Sequence, residues 1–283
     1  MASFTNFATL SYNGGTTNSN IVTGEILEAL TAVKTAVSAN YSAGDRITYA
    51  LSLVNTGTAA ITDYTVTDNL GGYTVGANTV YPLAYNAGTV RYYINGVLQA
   101  APAVTAGPPL TVTGLTVPAG GNAVLIYETT ATNVAPLATG NSITNTATIT
   151  GGGLTNPITA QATVETASSA DLTISKALSP TTVTENGQIT YTFVISNTGN
   201  TEATAADNVI VTDTFDPILR NIAVTYNGTA WTEGTNYTYN ATTGVFATQA
   251  GQITVPAASF TQNADGTFTV TPGTATLVIT GTI

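Results

Sequence analysis

Apolar and polar residues alternate along this chain in short runs, the period of strands rather than helices. Leu172, Ile174, Lys176 and Leu178 share one face, with Thr173 and Ser175 on the other. Ile143, Asn145, Ala147 and Ile149 stand against Thr144, Thr146 and Thr148 in the same way. Tyr64, Val66, Asp68 and Leu70 form a third apolar face, and Val209, Val211, Asp213 and Phe215 a fourth. Near the start, Phe4, Asn6, Ala8 and Leu10 make a fifth. Lys34 falls in phase with Leu30 and Ala32. Thr, Val, Ile and Tyr favour strands, and the many Gly, Asn and Pro residues favour turns, so the predicted class is all-β.

The same runs occur twice. DRITYALSLVNTG at Asp45–Gly57 matches GQITYTFVISNTG at Gly187–Gly199, and YTVTDNL at Tyr64–Leu70 matches VIVTDTF at Val209–Phe215. AVLIYETTA at Ala123–Ala131 matches ATLVITGTI at Ala275–Ile283. Lys34 and Lys176 keep the repeat spacing, each 142 residues from its counterpart, as do Gly57 and Gly199. Repeat one then continues with SITNTATITGGG at Ser142–Gly153 and ITAQATVE at Ile158–Glu165. Repeat two reaches Ile283 before any copy of these strands. Their parallels lie at the other end of the chain, as SFTNFATLSYNG at Ser3–Gly14 and TNSNIVTGEILE at Thr17–Glu28. The expected organisation is therefore residues 1–28 as N-terminal donor strands, 29–166 as a complete first domain, and 167–283 as an incomplete second domain. An open sandwich exposes an apolar slot and an unpaired edge that a donated strand would fill.

The ordered motifs are Lys, then G-D-x-I-T-Y-x-x-x-V-x-N-T-G, V-T-D-x-L and T-N-T-A-T-I. They resemble the DUF11 repeat of bacterial surface proteins over nearly the whole chain. The resemblance implies two tandem immunoglobulin-like β-sandwich domains and a place on the cell surface or in an appendage, the spore appendages of clostridia included. Repeat two departs from the pattern by lacking the T-N-T-A-T strand.

Composition narrows the chemistry. Only 7% of the 283 residues are charged, but 43% are hydrophobic, so the chain can bury cores and is not disordered. A formal net charge of −10 argues against nucleic acid and anionic membrane surfaces. The chain has no cysteine and no histidine, which removes disulfides, thiolate metal sites and the commonest general base. No apolar run is long enough to span a membrane. Met1–Thr17 has neither a basic nor an apolar leader region, so no signal peptide is expected there. No cofactor and no metal is called for.

Lysine occurs only at positions 34 and 176, both on core faces. Each repeat thus supplies an inward Lys and an inward Asp (Asp68, Asp213), and each closing strand an inward Asn (Asn145, Asn6). Such groups are costly in a core unless they satisfy one another. One reading is a spontaneous Lys–Asn isopeptide bond, as in pilin-type immunoglobulin-like domains. Burial favours the neutral forms of amine and acid, so the amine can attack the Asn carbonyl while Asp68 or Asp213 shuttles protons and ammonia leaves. The other reading is a buried Lys–Asp ion pair capped by Asn through hydrogen bonds.

Repeat one holds its full set, Lys34, Asp68 and Asn145. Repeat two holds Lys176 and Asp213, and its matching asparagine is Asn6. An immunoglobulin-like domain is roughly 40 Å long at ~3.3 Å per strand residue. A linker of about five residues reaches under ~20 Å. Donation of Asn6 to another copy is therefore expected, and a head-to-tail interface that does not close makes a filament. The expected function is a structural fibre subunit on the outside of a cell or spore, partnered by identical subunits, with no enzymatic activity beyond its own cross-linking. The alternative is a monomeric surface adhesin or carbohydrate-binding module.

Weaker signals have plainer readings. Asn55-Thr56-Gly57 and Asn197-Thr198-Gly199 read as turns in which Asn and Gly supply positive φ. Asp207, Asp213 and Asp216 suggest calcium, but repeat one lacks matching acids other than Asp68. Three Asn-x-Thr sequons at Asn227, Asn236 and Asn240 are expected by chance in so Thr- and Asn-rich a chain. Arg91, Tyr92 and Tyr93, in an insert from Tyr81 to Gly114, read as packing on the sandwich or against a neighbouring subunit rather than as a ligand surface.

Overall fold

The computed structural model describes residues 2–26 and 29–283, and the expected boundary at residue 28 lies outside them. The chain is all-β apart from one 3-10 turn at Ala205–Asp207 among the described residues. It forms two units, one made of residues up to Ala135 with Ser142–Glu165, the other of Pro136–Asn141 with Thr166–Ile283.

In the first unit, strict alternation in Arg46–Asn55 buries Ile47, Tyr49, Leu51 and Leu53 completely. That strand is central to a six-stranded antiparallel sheet, flanked by Leu30–Ala36 on one side and Asn122–Ala131 on the other. A second six-stranded sheet runs Ala103–Thr105, Leu110–Val117, Ile61–Asp68, Ser142–Gly151, Ile158–Thr166 and Asn40–Tyr41. The inward residues of both sheets, such as Leu125, Val66 and Ile149, are buried in one sandwich core. Ser142–Gly151 pairs with Ile61–Asp68 on one side and Ile158–Thr166 on the other, so it closes the second sheet.

In the second unit, the first sheet recurs. Its order is Leu172–Ser179, Gln188–Asn197, Gly273–Thr282, Arg220–Tyr226 and Thr229–Trp231. The register is repeated too: Lys34 lies opposite Leu51, Lys176 opposite Phe193, Tyr49 opposite Tyr127 and Tyr191 opposite Ile279. Phe193, Phe215, Leu219, Phe246, Leu277 and Ile279 form its core. The second sheet is reduced to Thr212–Thr214, Val245–Thr248 and Tyr237–Asn240. Thr212–Thr214 pairs on one side only among the described residues, where its counterpart Ile61–Asp68 pairs on both. The consequence is visible in Leu172–Ser179, none of whose residues is buried; Ile174 is 55% exposed.

The N-terminal strands pair only with one another among the described residues, Ala2–Asn6 with Val22–Ile26 and Thr9–Tyr12 with Gly15–Asn18. The single strand expected over Ser3–Gly14 is interrupted at Phe7 and Ala8. The register passes from Asn6 opposite Val22 to Thr9 opposite Asn18, so three residues face two. This bulge is fastened by Ala8 N–H donating to Ser19 Oγ (2.9 Å) and Ser19 N–H to Ala8 O (2.8 Å). Phe4, Phe7, Leu10, Tyr12, Ile21 and Val22 are all more than half exposed on this hairpin.

One expectation changes. Asn55 and Asn197 are buried strand ends that work through their side chains, not through positive φ. Asn55 Nδ2 donates to the carbonyls of Ala59 (2.8 Å) and Pro118 (3.0 Å) while its Oδ1 accepts Gly57 N–H. Asn197 repeats the pattern with Thr201 (2.8 Å), Pro256 (3.1 Å) and Gly199 N–H. Tyr92 is buried and donates to Thr116 O, as packing requires, while Arg91 is exposed.

Candidate functional site

Alternation places the site. Lys34 projects from Leu30–Ala36 into the first unit, and Tyr49 and Tyr127 project beside it as a cross-strand pair with rings 5.8 Å apart. Across the core stand Asp68, the last residue of Ile61–Asp68, and Asn145 on the closing strand. Ala147 lies opposite Asp68, so Asn145, two residues away on the same face, stands beside it. All three predicted residues of repeat one are buried: Lys34 4%, Asp68 1% and Asn145 0% exposed.

Lys34 Nζ lies 2.5 Å from Asp68 Oδ2 and 4.8 Å from the centre of the Tyr49 ring. Tyr127 donates its hydroxyl to that same Oδ2, while Oδ1 accepts Leu70 N–H at 3.0 Å. Burial pulls the Lys34 pKa from 10.5 down to about 8, although Asp68 acts against it by charge and hydrogen bond. Burial likewise pushes the Tyr49 and Tyr127 hydroxyls well above their ordinary range.

Asn145 and Tyr49 are the exceptions in an otherwise paired site. Both atoms of the Asn145 amide are buried without a hydrogen-bond partner, and so is the Tyr49 hydroxyl. The amide lies near the Tyr49 and Tyr127 hydroxyls but makes no bond of normal geometry to either. Leaving such groups unsatisfied costs about 1–3 kcal/mol each. No hydrogen bond of normal geometry joins the Asn145 amide to the Lys34–Asp68 pair.

In the second unit, Lys176 Nζ lies 2.5 Å from Asp213 Oδ2 and 4.5 Å from the centre of the Tyr191 ring. The pair is the same, but the Lys176 side chain is 41% exposed. Asn6 is exposed on the N-terminal hairpin, opposite Val22. Asp207 caps the 3-10 turn through Thr204 rather than joining Asp213 and Asp216, and no group of three metal-ligating side chains gathers among the described residues. Sequence reasoning missed Tyr49 and Tyr127. Their inward positions were legible from alternation, but a tyrosine in an apolar run looks like ordinary core.

The fold and site together define an all-β sandwich protein with a Lys–Asp pair in each repeat, buried in the first and water-exposed in the second. The family model described as "BatD DUF11 like domain" matches residues 176–276, the second repeat from its lysine onward. The DUF11 resemblance of the sequence thus has a matching family model across that repeat. No curated protein sequence matches the chain. Among solved structures, the N-terminal domain of a Streptococcus gordonii adhesin is similar at 14% identity and TM-score 0.36, covering 48% of this chain and 32% of that one. The chain thus spans about a third of that domain's length. The major pilin subunit of Bacillus cereus, BcpA, is similar at 14% identity and TM-score 0.35, over 96% of this chain and 73% of that one. The pilus backbone protein RrgB of Streptococcus pneumoniae is similar at 12% identity and TM-score 0.35, over 86% and 55%.

Proposed function

We propose that this chain is a structural subunit of an extracellular filament, of the kind borne on cell or spore surfaces. It polymerises head-to-tail, the N-terminal hairpin of one copy completing the second unit of the next. Isopeptide bonds lock it, Lys34 to Asn145 within a subunit and Lys176 to Asn6 between subunits. The observation that carries this reading is the buried, unpartnered Asn145 amide beside the Lys34–Asp68 pair.

The chemistry needs no cofactor. A lysine with pKa about 8 is neutral in about a tenth of molecules at pH 7. Asp68 takes the ammonium proton, the freed amine attacks Cγ of Asn145, and the amide nitrogen departs as ammonia after receiving a proton from Asp68. In the second unit Lys176 and Asp213 wait in contact with water. A donated strand would bring the Asn6 amide and exclude that water in one event, so cross-linking follows assembly rather than preceding it. The exposed apolar side chains of the hairpin and of Leu172–Ser179 supply complementary surfaces for such docking.

The test is electrophoresis of assembled material boiled in detergent. Wild-type and Asn145→Ala filaments should give a ladder of high-mass species, while Asn6→Ala should collapse to monomer. A ladder that persists in Asn6→Ala would refute the intermolecular bond.

A further inference from the structure

The first unit buries two neighbouring polar groups without partners, the Asn145 amide and the Tyr49 hydroxyl. We propose that Tyr49 is a catalytic residue of isopeptide formation, its hydroxyl donating to the Asn145 side-chain oxygen as negative charge develops there, and that Tyr191 serves Asn6 of an incoming subunit in the same way. The inference rests on the isopeptide reading above and adds the group that stabilises its transition state.

Three observations select Tyr49. Its ring lies beneath the attacking nitrogen, with Lys34 Nζ 4.8 Å from its centre against 5.8 Å for Tyr127, and its hydroxyl lies near the Asn145 amide. The neighbouring Tyr127 hydroxyl is already committed to Asp68 Oδ2, whereas that of Tyr49 is uncommitted. The second repeat then separates the two tyrosines. Tyr191 occupies the Tyr49 register, with Lys176 Nζ 4.5 Å from its ring centre, but Ile279 stands where Tyr127 would be. A device common to both repeats has to be the Tyr49 type. Burial keeps the Tyr49 hydroxyl protonated, and so able to donate, far into the alkaline range.

The step balances with the groups present. Proton transfer from the Lys34 ammonium to Asp68 leaves a neutral amine. Its lone pair forms the Nζ–Cγ bond while the carbonyl π pair moves onto Oδ1, which accepts the Tyr49 O–H. Asp68 passes its proton to Nδ2 and recovers one from Nζ as the Cγ–Nδ2 bond breaks. Ammonia leaves, the carbonyl re-forms, and Tyr49 keeps its proton throughout. Such a donor, aimed in advance at a developing oxyanion in a dry site, acts on the transition state more than on the ground state.

The experiment follows loss of one ammonia by intact mass as full chain that has never folded, recovered in denaturant from inclusion bodies at its full sequence mass, is diluted into folding buffer. Wild type should lose it once per subunit from the first unit. Tyr49→Phe should slow that loss about a hundredfold or more, and Tyr127→Phe should slow it less. Loss at the wild-type rate in Tyr49→Phe, or a greater slowing in Tyr127→Phe, overturns the assignment while leaving the isopeptide bond in place. If wild type loses no ammonia, the isopeptide reading itself fails. Should Tyr49→Phe not fold, Tyr191→Phe decides the matter through the growth rate of the boiled ladder: slowed growth supports the role, and unchanged growth overturns it.

Discussion

Lys34 and Lys176 occupy the same register of the same sheet, each 2.5 Å from an aspartate and over a tyrosine ring, yet one side chain is 0% exposed and the other 41%. What separates them is the opposing sheet. The first unit has Ser142–Gly151 and Ile158–Thr166 beside its aspartate strand, and the second unit has no strand in that position among the described residues. A single fold therefore presents the site in two states, one closed and desolvated, the other paired but wet. The difference teaches that the Lys–Asp contact does not itself depend on burial. Desolvation, which lowers the Lys34 pKa, goes with the strand that also carries Asn145.

The largest expected effect breaks the closed state. The proposed cross-link from Lys34 to Asn145 would span a loop of roughly 110 residues, and in the chain-entropy account closing a loop of that size stabilises by about 5 kcal/mol. Asn145→Ala should lower the stability of the first unit by about that amount in denaturant unfolding while leaving the second unit of the unassembled subunit unchanged. Equal loss in both units, or none in the first, would remove the distinction between them.

A smaller effect tests what the units share. Asn55→Ala and Asn197→Ala each orphan buried loop carbonyls and a glycine N–H. Each should cost about 3 kcal/mol, Asn55 in the first unit and Asn197 in the second. If Asn197→Ala costs far less than Asn55→Ala, the second unit is looser than the first at this end.

Much of this was legible in the sequence because strand parity is a strong signal. Asp68, Asn145 and Lys34 were placed inward by their apolar neighbours, and the structure puts all three in one core. The repeat also announced the sheet that recurs, since Gly273–Thr282 and Gln188–Asn197 pair as Asn122–Ala131 and Arg46–Asn55 do. Other features depend on relations that a linear pattern does not carry. The bulge at Ser19–Ile21, opposite Phe7 and Ala8, arises from a count of residues on two strands, not from either strand alone. Asn55 and Asn197 looked like turn formers because Asn-x-Gly usually is one, whereas their role is fixed by the distant carbonyls of Pro118 and Pro256. Tyr49 differs from a core tyrosine only in what its hydroxyl fails to reach.

The smallest effect concerns pH and separates a titrating lysine from an amide. In Asn145→Ala, Lys34 stays a free amine whose folded pKa, about 8, lies below the ordinary 10.5. Between those values the unfolded chain binds the proton and the folded one does not, so stability rises with pH, by about 2 kcal/mol from pH 8 to about pH 9.5. Near pH 10 the buried tyrosines reverse the trend. Tyr49, Tyr64 and Tyr127 are all raised by burial, so there the folded state holds protons that the unfolded state releases. Asn145→Ala should therefore show a stability maximum between pH 8 and pH 10. On the proposed cross-link, which would make Lys34 an amide, wild type should show only the alkaline fall. A rise of the same size in wild type would mean that Lys34 still titrates there, and that the closed unit is held by an ion pair alone.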